Sequence, residues 1–278
     1  MEHAERQHPR LDPGLVPAVT SNSTATLRAL HHGPHPVVLP NVWDAASARV
    51  FTDAGFPALA TSSSAVAAAL GYDDGERTPA AEMFAAIRRI ARSVEVPVTA
   101  DVESGYGLGA RELVDRLAET GVAGCNLEDS DPATRTMKNV ERQAEFLAAV
   151  RDHAGDALVL NARVDVFLHT PFDPRTTVAT AIARARRYLT AGADCVYPIL
   201  APADTLPELV AGIDGPVNVL HLPGGPSVGE LSALGVARIT FGGSLHKAAI
   251  ASLRDTATAL HHTSLSTGRG GLPEGQVR

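Results

Sequence analysis

The strongest constraint on this chain is an alternation. Short apolar runs of strand composition, at 36–40, 58–61, 96–102, 124–127, 158–161, 194–199, 216–220 and 238–241, are each followed by a helical pattern. Those patterns cover 45–54, 65–70 with a longer one at 78–94, then 111–120, 139–154, 175–191, 203–211, 227–234 and 244–260. A short helix at 23–30 comes first. Ser23 is the expected cap of that helix, and Thr78 of the long one, with Pro79 at its first position. A strand followed by a helix and another strand implies parallel pairing, because the helix carries the chain back to the starting edge. Eight such units are the number that closes a (β/α)8 barrel, which typically needs about 250 residues. Gly55, Gly121, Gly192 and Gly235 lie where a left-handed turn must release a helix into the next strand. A doubly wound sheet would carry a glycine-rich phosphate turn after its first strand. This chain has Asn41-Val42-Trp43-Asp44 there.

The chain has 278 residues, of which 45% are hydrophobic, enough for a single barrel expected over 22–262. Residues 1–21, rich in Pro, His and charge, are expected to be a mobile arm, and the Gly- and Ser-rich stretch 263–278 a disordered tail. The arm lacks the apolar core of a secretory signal. No apolar run approaches the roughly 18 residues of a membrane span, which argues against a membrane partner. A net charge of −7 without a basic run argues against nucleic acid. Cys125 and Cys195 are the only cysteines and both fall in apolar runs, so they read as small buried hydrophobes in a reducing, cytoplasmic setting.

Chemistry concentrates at 99–107. An apolar run leads into Asp101 and Glu103, and Gly105 and Gly107 then break it. Residues two apart on a strand share a face, so both carboxylates are expected to project into one place. Two adjacent carboxylates raise each other's pKa unless a cation lies between them. A hard divalent metal, Mg²⁺ or Mn²⁺, would relieve that; a solvated acidic turn is the alternative. In a barrel the site forms at the C-terminal strand ends. Polar residues in that register are Asn41 and Asp44, Ser62 and Ser63, Asp74 in the following loop, Asp101 and Glu103, Glu128, Arg163, Tyr197 and Asn218. Acids facing one guanidinium fork suit a metal centre beside an arginine that grips a substrate carboxylate.

Several of these have structural readings. Asp44 is the expected N-cap of the first barrel helix. Asp129 reads as a loop-bracing residue and Asp165 as a partner for Arg163 or for a helix N-terminus. His221 is read as packed or solvated rather than as a base. Tyr106 either lines the pocket or packs its loop.

The motifs Leu39-Pro40-Asn41-Val42-Trp43-Asp44-Ala45-Ala46-Ser47-Ala48, Gly71-Tyr72-Asp73-Asp74-Gly75, Ala100-Asp101-Val102-Glu103-Ser104-Gly105-Tyr106-Gly107, Asn126-Leu127-Glu128-Asp129-Ser130, Asn161-Ala162-Arg163-Val164-Asp165 and Ala191-Gly192-Ala193-Asp194-Cys195 occur in order, running across nearly all of 39–260. Together they resemble the isocitrate lyase / phosphoenolpyruvate mutase superfamily, in particular its short, phosphonomutase-like members. The resemblance implies a Mg²⁺ cluster of Asp74, Asp101, Glu103 and Glu128, several acting through water. It implies a substrate carboxylate on Ser62 and Ser63, with Arg163 at the other end; from their positions alone, Tyr106 and Asn218 are expected as further substrate residues. Asp74, Glu128 and Arg163 would carry the catalysis. It further implies a homo-oligomer, tetramer or dimer, in which the apolar side of the last helix (Leu245, Ala248, Ala249, Leu253, Leu260) packs on or exchanges with another subunit.

The departures bear on the substrate. Isocitrate and methylisocitrate lyases carry a Lys-Lys-Cys-Gly-His gate whose cysteine handles a proton; here 129–138 contains neither Cys nor His. The true mutases carry a Lys and an Asn there, and no matching pair appears. The segment 130–139 is still expected to act as a mobile gate. The expected activity is a Mg²⁺-dependent lyase or decarboxylase that cleaves a C–C bond of a small 2-oxo or 2-hydroxy dicarboxylate through an enolate. The alternatives are a P–C bond enzyme of the mutase or phosphonopyruvate hydrolase type, and a catalytically idle carboxylate-binding protein.

Overall fold

A computed structural model describes residues 21–171 and 173–267. The expected arm up to residue 20 and the tail beyond 267 lie outside the described residues. In order, the chain forms α1 (Ser21–Leu30), β1 (Val37–Leu39), β2 (Asn41–Val42), α2 (Ala45–Asp53), β3 (Leu59–Thr61), α3 (Ser63–Leu70), α4 (Ala80–Ala91), β4 (Val98–Asp101), α5 (Ala110–Thr120) and β5 (Gly124–Glu128). A hairpin of β6 (Ser130–Asp131) and β7 (Thr136–Met137) follows, then α6 (Val140–Ala154), β8 (Val159–Val164), α7 (Val166–His169), α8 (Pro174–Thr190) and β9 (Cys195–Pro198). The last elements are α9 (Leu206–Gly212), β10 (Asn218–Leu220), α10 (Val228–Ala233), β11 (Arg238–Thr240) and α11 (Ser244–Thr267).

Apart from the antiparallel hairpin, every strand pair is parallel. One run of neighbours is β2-β3-β4-β5-β8-β9 and another is β1-β11-β10. β1 and β2 are one strand split at Pro40, which accepts a hydrogen bond from the Ala60 amide but has no N–H to donate. A parallel bridge between Val196 and Val217 joins β9 to the β10 segment. The neighbours therefore run through eight strands and return to the first, which is the (β/α)8 order expected. Gly71 and Gly121 close their helices in the left-handed conformation. Two expected caps are corrected. Ser23 lies inside α1, which starts at Ser21. α4 has no side-chain cap, and the buried Thr78 hydroxyl has no partner among the described residues.

The main core fills the space between strands and helices, with Leu59, Met83, Ile87, Leu113, Leu147 and Leu160 among its buried members. A second cluster gathers Leu27 and Leu30 of α1 with Val37, Leu39, Ala60 and Val159, so α1 seals the N-terminal end of the barrel. Arg28 pins α1 there, bonding Asp194 at 3.0 Å and the Leu158 carbonyl at 3.1 Å. The other long terminal element behaves differently. Of α11, every residue from Lys247 to His262 is exposed, and the helix runs on through Thr267. Only its first turn meets the barrel, where the His246 and Trp43 rings stand 5.0 Å apart. α11 therefore does not cover its own barrel. No helix among the described residues is long and apolar enough to cross a membrane.

The seal at α1 contains a buried histidine. His31 Nδ1 lies 2.7 Å from the Leu27 carbonyl, and burial, helped by the Arg238 charge, pushes its pKa down to about 4. The unfolded chain takes up this proton near its ordinary value of about 6.5, the folded one only near 4. Stability contributed by the neutral ring is thus present above about pH 6.5 and is lost as pH falls through that window, by about 3 kcal/mol in full. Urea unfolding at pH 6.5 and 4.5 should show the wild type losing more stability than His31→Leu. Equal losses in the two proteins would exclude His31 as the cause.

Candidate active site

The site begins where β3 and β4 end. Ser62 caps α3, its hydroxyl accepting from the Ala65 amide, and it also meets the Ser64 hydroxyl at 3.0 Å. Ser63 opens the helix. Its amide donates to Asp101 Oδ2 at 3.1 Å, and its hydroxyl lies 2.9 Å from that oxygen and 3.3 Å from Asp74 Oδ1. The amide and hydroxyl of Ser63, a residue expected to hold a substrate carboxylate, thus both point at the protein's own Asp101. Asp101 Oδ1 is buried and has no partner among the described residues. Asp74 is held close by a turn through Gly75, whose φ is +88°. Burial pushes the Asp74 pKa up, and the Asp101 charge adds to that.

Glu103 reaches the site by a different route from the one its spacing suggested. β4 stops at Asp101, and Glu103 has a left-handed φ of +51°, so strand alternation does not place it. Its carboxylate is clamped instead, accepting from the Tyr106 hydroxyl and the Glu76 amide, both at 2.6 Å. Burial pushes its pKa up to about 7 against the pull of Tyr106, and Asp101 and Asp74 push in the same direction as burial. The ring of Tyr106 packs on Phe84, so this tyrosine braces Glu103. Sequence reasoning missed Glu76. One of its oxygens, Oε1, accepts from the Ser104 amide at 3.1 Å, the Ser104 hydroxyl at 2.7 Å and the Tyr106 amide at 2.7 Å. Glu76 thereby ties the loop after β3 to the loop after β4. No local pattern marks it, because its partners lie about thirty positions away.

Across the barrel, β5 and β8 pair Glu128 with Arg163. Arg163 Nη1 lies 2.8 Å from Glu128, Nε 2.6 Å from Asp165 Oδ1, and Nη2 3.0 Å from Asp165 Oδ2. Ser130 donates to Asp165 at 2.5 Å. A guanidinium has five N–H donors. Three are used here, so one on each Nη remains for a ligand, a narrower grip than a free fork. Burial pushes Glu128 up, opposed by Arg163, while Asp165, Asp101 and Glu103 add to the rise.

The structural readings of the other acids hold. Asp44 forms a capping box with Ser47. Asp129 is fully enclosed, accepting from the Asp165 amide, the Tyr188 hydroxyl and Arg184. His221 is half-buried against Phe241. Asn218 is fully buried; its Oδ1 accepts from the Thr240 hydroxyl, and its Nδ2 has no partner among the described residues. Cys125 and Cys195 are enclosed within strands, and burial pushes each thiol up to about 12.

Two cavities open at this end. One of about 330 Å³ is lined by Glu103, Glu128, Ser130, Arg135 and His169. The other, of about 660 Å³, is lined by Asn41, Asp101, Asn126, Tyr197 and Phe241. They meet at Ser63, Asp74, Arg163 and Leu168. The segment expected to be a gate is the β6–β7 hairpin; its turn is stapled by Asp131, which accepts from the Ala133 and Thr134 amides. Among the described residues no three Asp, Glu, His or Cys side chains stand together as a metal site of direct ligands. A cation held partly through water fits the site nonetheless. Asp101 presents a bare buried oxygen, and Asp74 and Glu103 are pushed up by burial and by neighbouring carboxylates, strain that a divalent charge would remove.

Removing Glu76 tests this construction. Hydrogen bonds to a charged group are worth about 1.5–3 kcal/mol each when broken. Glu76→Ala should therefore speed hydrogen exchange at 103–108 while leaving the strand amides protected. Unchanged exchange in that loop would show that Glu76 does not hold it.

Known proteins extend this geometry. The family model for phosphoenolpyruvate phosphomutase matches residues 27–261. An uncharacterised Mycobacterium tuberculosis protein is 35% identical over 239 residues, 83% of this chain and 87% of that protein. An oxaloacetate decarboxylase of Rhodopseudomonas palustris is 29% identical over 211 residues, 69% of this chain and 71% of the enzyme. A phosphonomutase-like crystal structure from Burkholderia cenocepacia J2315 superimposes with a TM-score of 0.80 at 40% identity, covering 85% of this chain and 99% of that one. With the barrel and the acidic strand ends in place, these matches show that the chain belongs to the phosphoenolpyruvate mutase family of the isocitrate lyase / phosphoenolpyruvate mutase superfamily.

Proposed function

We propose that this protein is a Mg²⁺-dependent carbon–carbon lyase of small 2-oxo or 2-hydroxy dicarboxylates, with decarboxylation of oxaloacetate as its specific reaction. The observation that carries this is the bare, buried oxygen of Asp101 beside Asp74, facing an Arg163 that keeps two N–H donors free. Asp74, Asp101, Glu103 and Glu128 would hold Mg²⁺, partly through water. The bound ion supplies a Lewis acid for the 2-oxo group. Arg163 orients a substrate carboxylate with its remaining donors, and Glu128 and Asp165 keep the guanidinium in place. Cleavage breaks the C3–C4 bond; its electron pair passes to the 2-oxo oxygen and CO₂ departs. The resulting pyruvate enolate takes its proton at C3 from water. The similar Rhodopseudomonas palustris decarboxylase supports this choice.

The missing loop cysteine separates this activity from isocitrate or methylisocitrate cleavage. Those reactions need a proton delivered to the departing carbon, and general acid catalysis is worth about 10² to 10⁴-fold. The hairpin at 130–137 has no thiol or imidazole, and both cysteines are enclosed and hard to ionise. We further propose a homo-oligomer. Most helical stability in proteins comes from packing an apolar face, and α11 leaves Leu253 62% and Leu260 67% exposed. A second copy covering or exchanging α11 would remove that surface from solvent.

Purified protein with Mg²⁺, screened against oxaloacetate, methylisocitrate, dimethylmalate and phosphonopyruvate, should act on oxaloacetate. Turnover of phosphonopyruvate alone would shift the assignment to P–C chemistry. Asp101→Ala should lose Mg²⁺ binding by calorimetry and lose activity while keeping its circular dichroism; unchanged Mg²⁺ affinity would remove Asp101 from the metal site. Light scattering at micromolar concentration should give a multiple of the chain mass. A monomer would refute the exchange of α11.

A further inference from the structure

Beneath the larger cavity lies a cation without an anion among the described residues. Arg238, on β11, is fully buried; among the described residues its Nε and Nη1 have no partner and its Nη2 donates to Asn126 Oδ1 at 3.2 Å. The same Oδ1 accepts from Asn161 Nδ2 at 2.8 Å. This settles which way the Asn126 amide faces. Arginine can only donate, so the oxygen of Asn126 must turn toward Arg238 and its NH₂ group away from it. Asn126 lines the larger cavity, and among the described residues its Nδ2 has no acceptor and is not sealed from solvent. It stands opposite Asp101 in the strand register and next but one along β5 from Glu128. The floor of the cavity therefore presents two N–H donors beside the acidic cluster, backed by a buried positive charge.

We propose that Asn126 donates to the substrate's 2-oxo oxygen as it becomes the enolate, and that Arg238 is the positioning residue that aims this amide. The assignment rests on the lyase reading above and extends it to two residues that reading does not use. In the reaction C3–C4 breaks, negative charge collects on the 2-oxo oxygen, and the Asn126 N–H shortens its contact to that oxygen without transferring its proton. Donors fixed in advance where charge develops act mainly on the chemical step. The Arg238 charge, confined in a low-dielectric interior, favours the same oxygen.

Four variants test this, each read by oxaloacetate kinetics and by calorimetric binding of oxalate, a planar dianion shaped like the pyruvate enolate, with Mg²⁺ present. Asn126→Ala should lower kcat by about a hundredfold with little change in KM, and weaken oxalate by about tenfold. Asn126→Asp gives Arg238 a charged partner, which favours folding, yet removes both donors; it should lose at least as much kcat. Arg238→Met should follow in the same direction, and Arg238→Lys, which also only donates, should recover part of kcat. Wild-type kcat and oxalate affinity in both Asn126 variants would overturn the proposal, and if Arg238→Met does not fold the Asn126 pair decides alone. A wild type that binds oxalate but leaves oxaloacetate intact refutes the decarboxylase reading, and oxalate affinity in Asn126→Ala then judges the proposal by itself. A wild type that neither binds oxalate nor turns over oxaloacetate overturns both.

Discussion

The structure depends on how carboxylates are kept apart, or kept compensated, at the C-terminal mouth of a barrel. Asp74, Asp101, Glu103, Glu128 and Asp165 crowd this end, with Arg163 between the last two. Burying a charge is expensive unless it is paired and hydrogen-bonded. Much of the local architecture answers that cost. Arg163 is shared by two acids, Glu103 receives two short hydrogen bonds, and Ser63 offers both its amide and its hydroxyl to Asp101. The compensation is incomplete at Asp101 Oδ1, and the chemistry proposed here is built around that deficit.

The barrel supplies the rigidity this arrangement needs. Strand register sets Asp101 opposite Asn126 and Glu128 opposite Arg163, so the spacing of acid and base is a property of backbone pairing rather than of loops. Loops then do finer work. Glu76 joins the two loops that follow β3 and β4, and Asp129 joins the end of β5 to β8 and α8. At the opposite end α1 closes the barrel with Leu27 and the salt link from Arg28. Charge is thus concentrated at one mouth and apolar closure at the other.

The family matches bear on different parts of this picture. Similarity over 27–261 covers the whole barrel, strands and helices alike. Substrate choice in such a scaffold resides in loops and in the cavity floor, where this chain has a hairpin without a thiol or imidazole and an asparagine held by a buried arginine. Relatives with the same framework can therefore differ in the bond they break.

How much was legible in the sequence follows from the range of each interaction. The eight strand–helix units, the left-handed glycines at helix ends, the Asp44 cap and the burial of both cysteines come from local periodicity and short-range chemistry, and they appear where the residues imply. So do the strand-end positions of Asp101, Glu128 and Arg163. Only the tertiary structure decided the rest. Glu103 follows a left-handed backbone that strand alternation does not describe, and Ser63 and Arg163 are largely engaged by the protein's own carboxylates. Glu76, Asn126 and Arg238 acquire their roles from partners tens to more than a hundred positions away. α11 stands clear of its own barrel although its amphipathic pattern equally suits an internal helix. The physical reason is common to all of these. Periodicity reports which face of an element is apolar, whereas the partner of a buried polar group is set by which distant strand ends the closed barrel brings together.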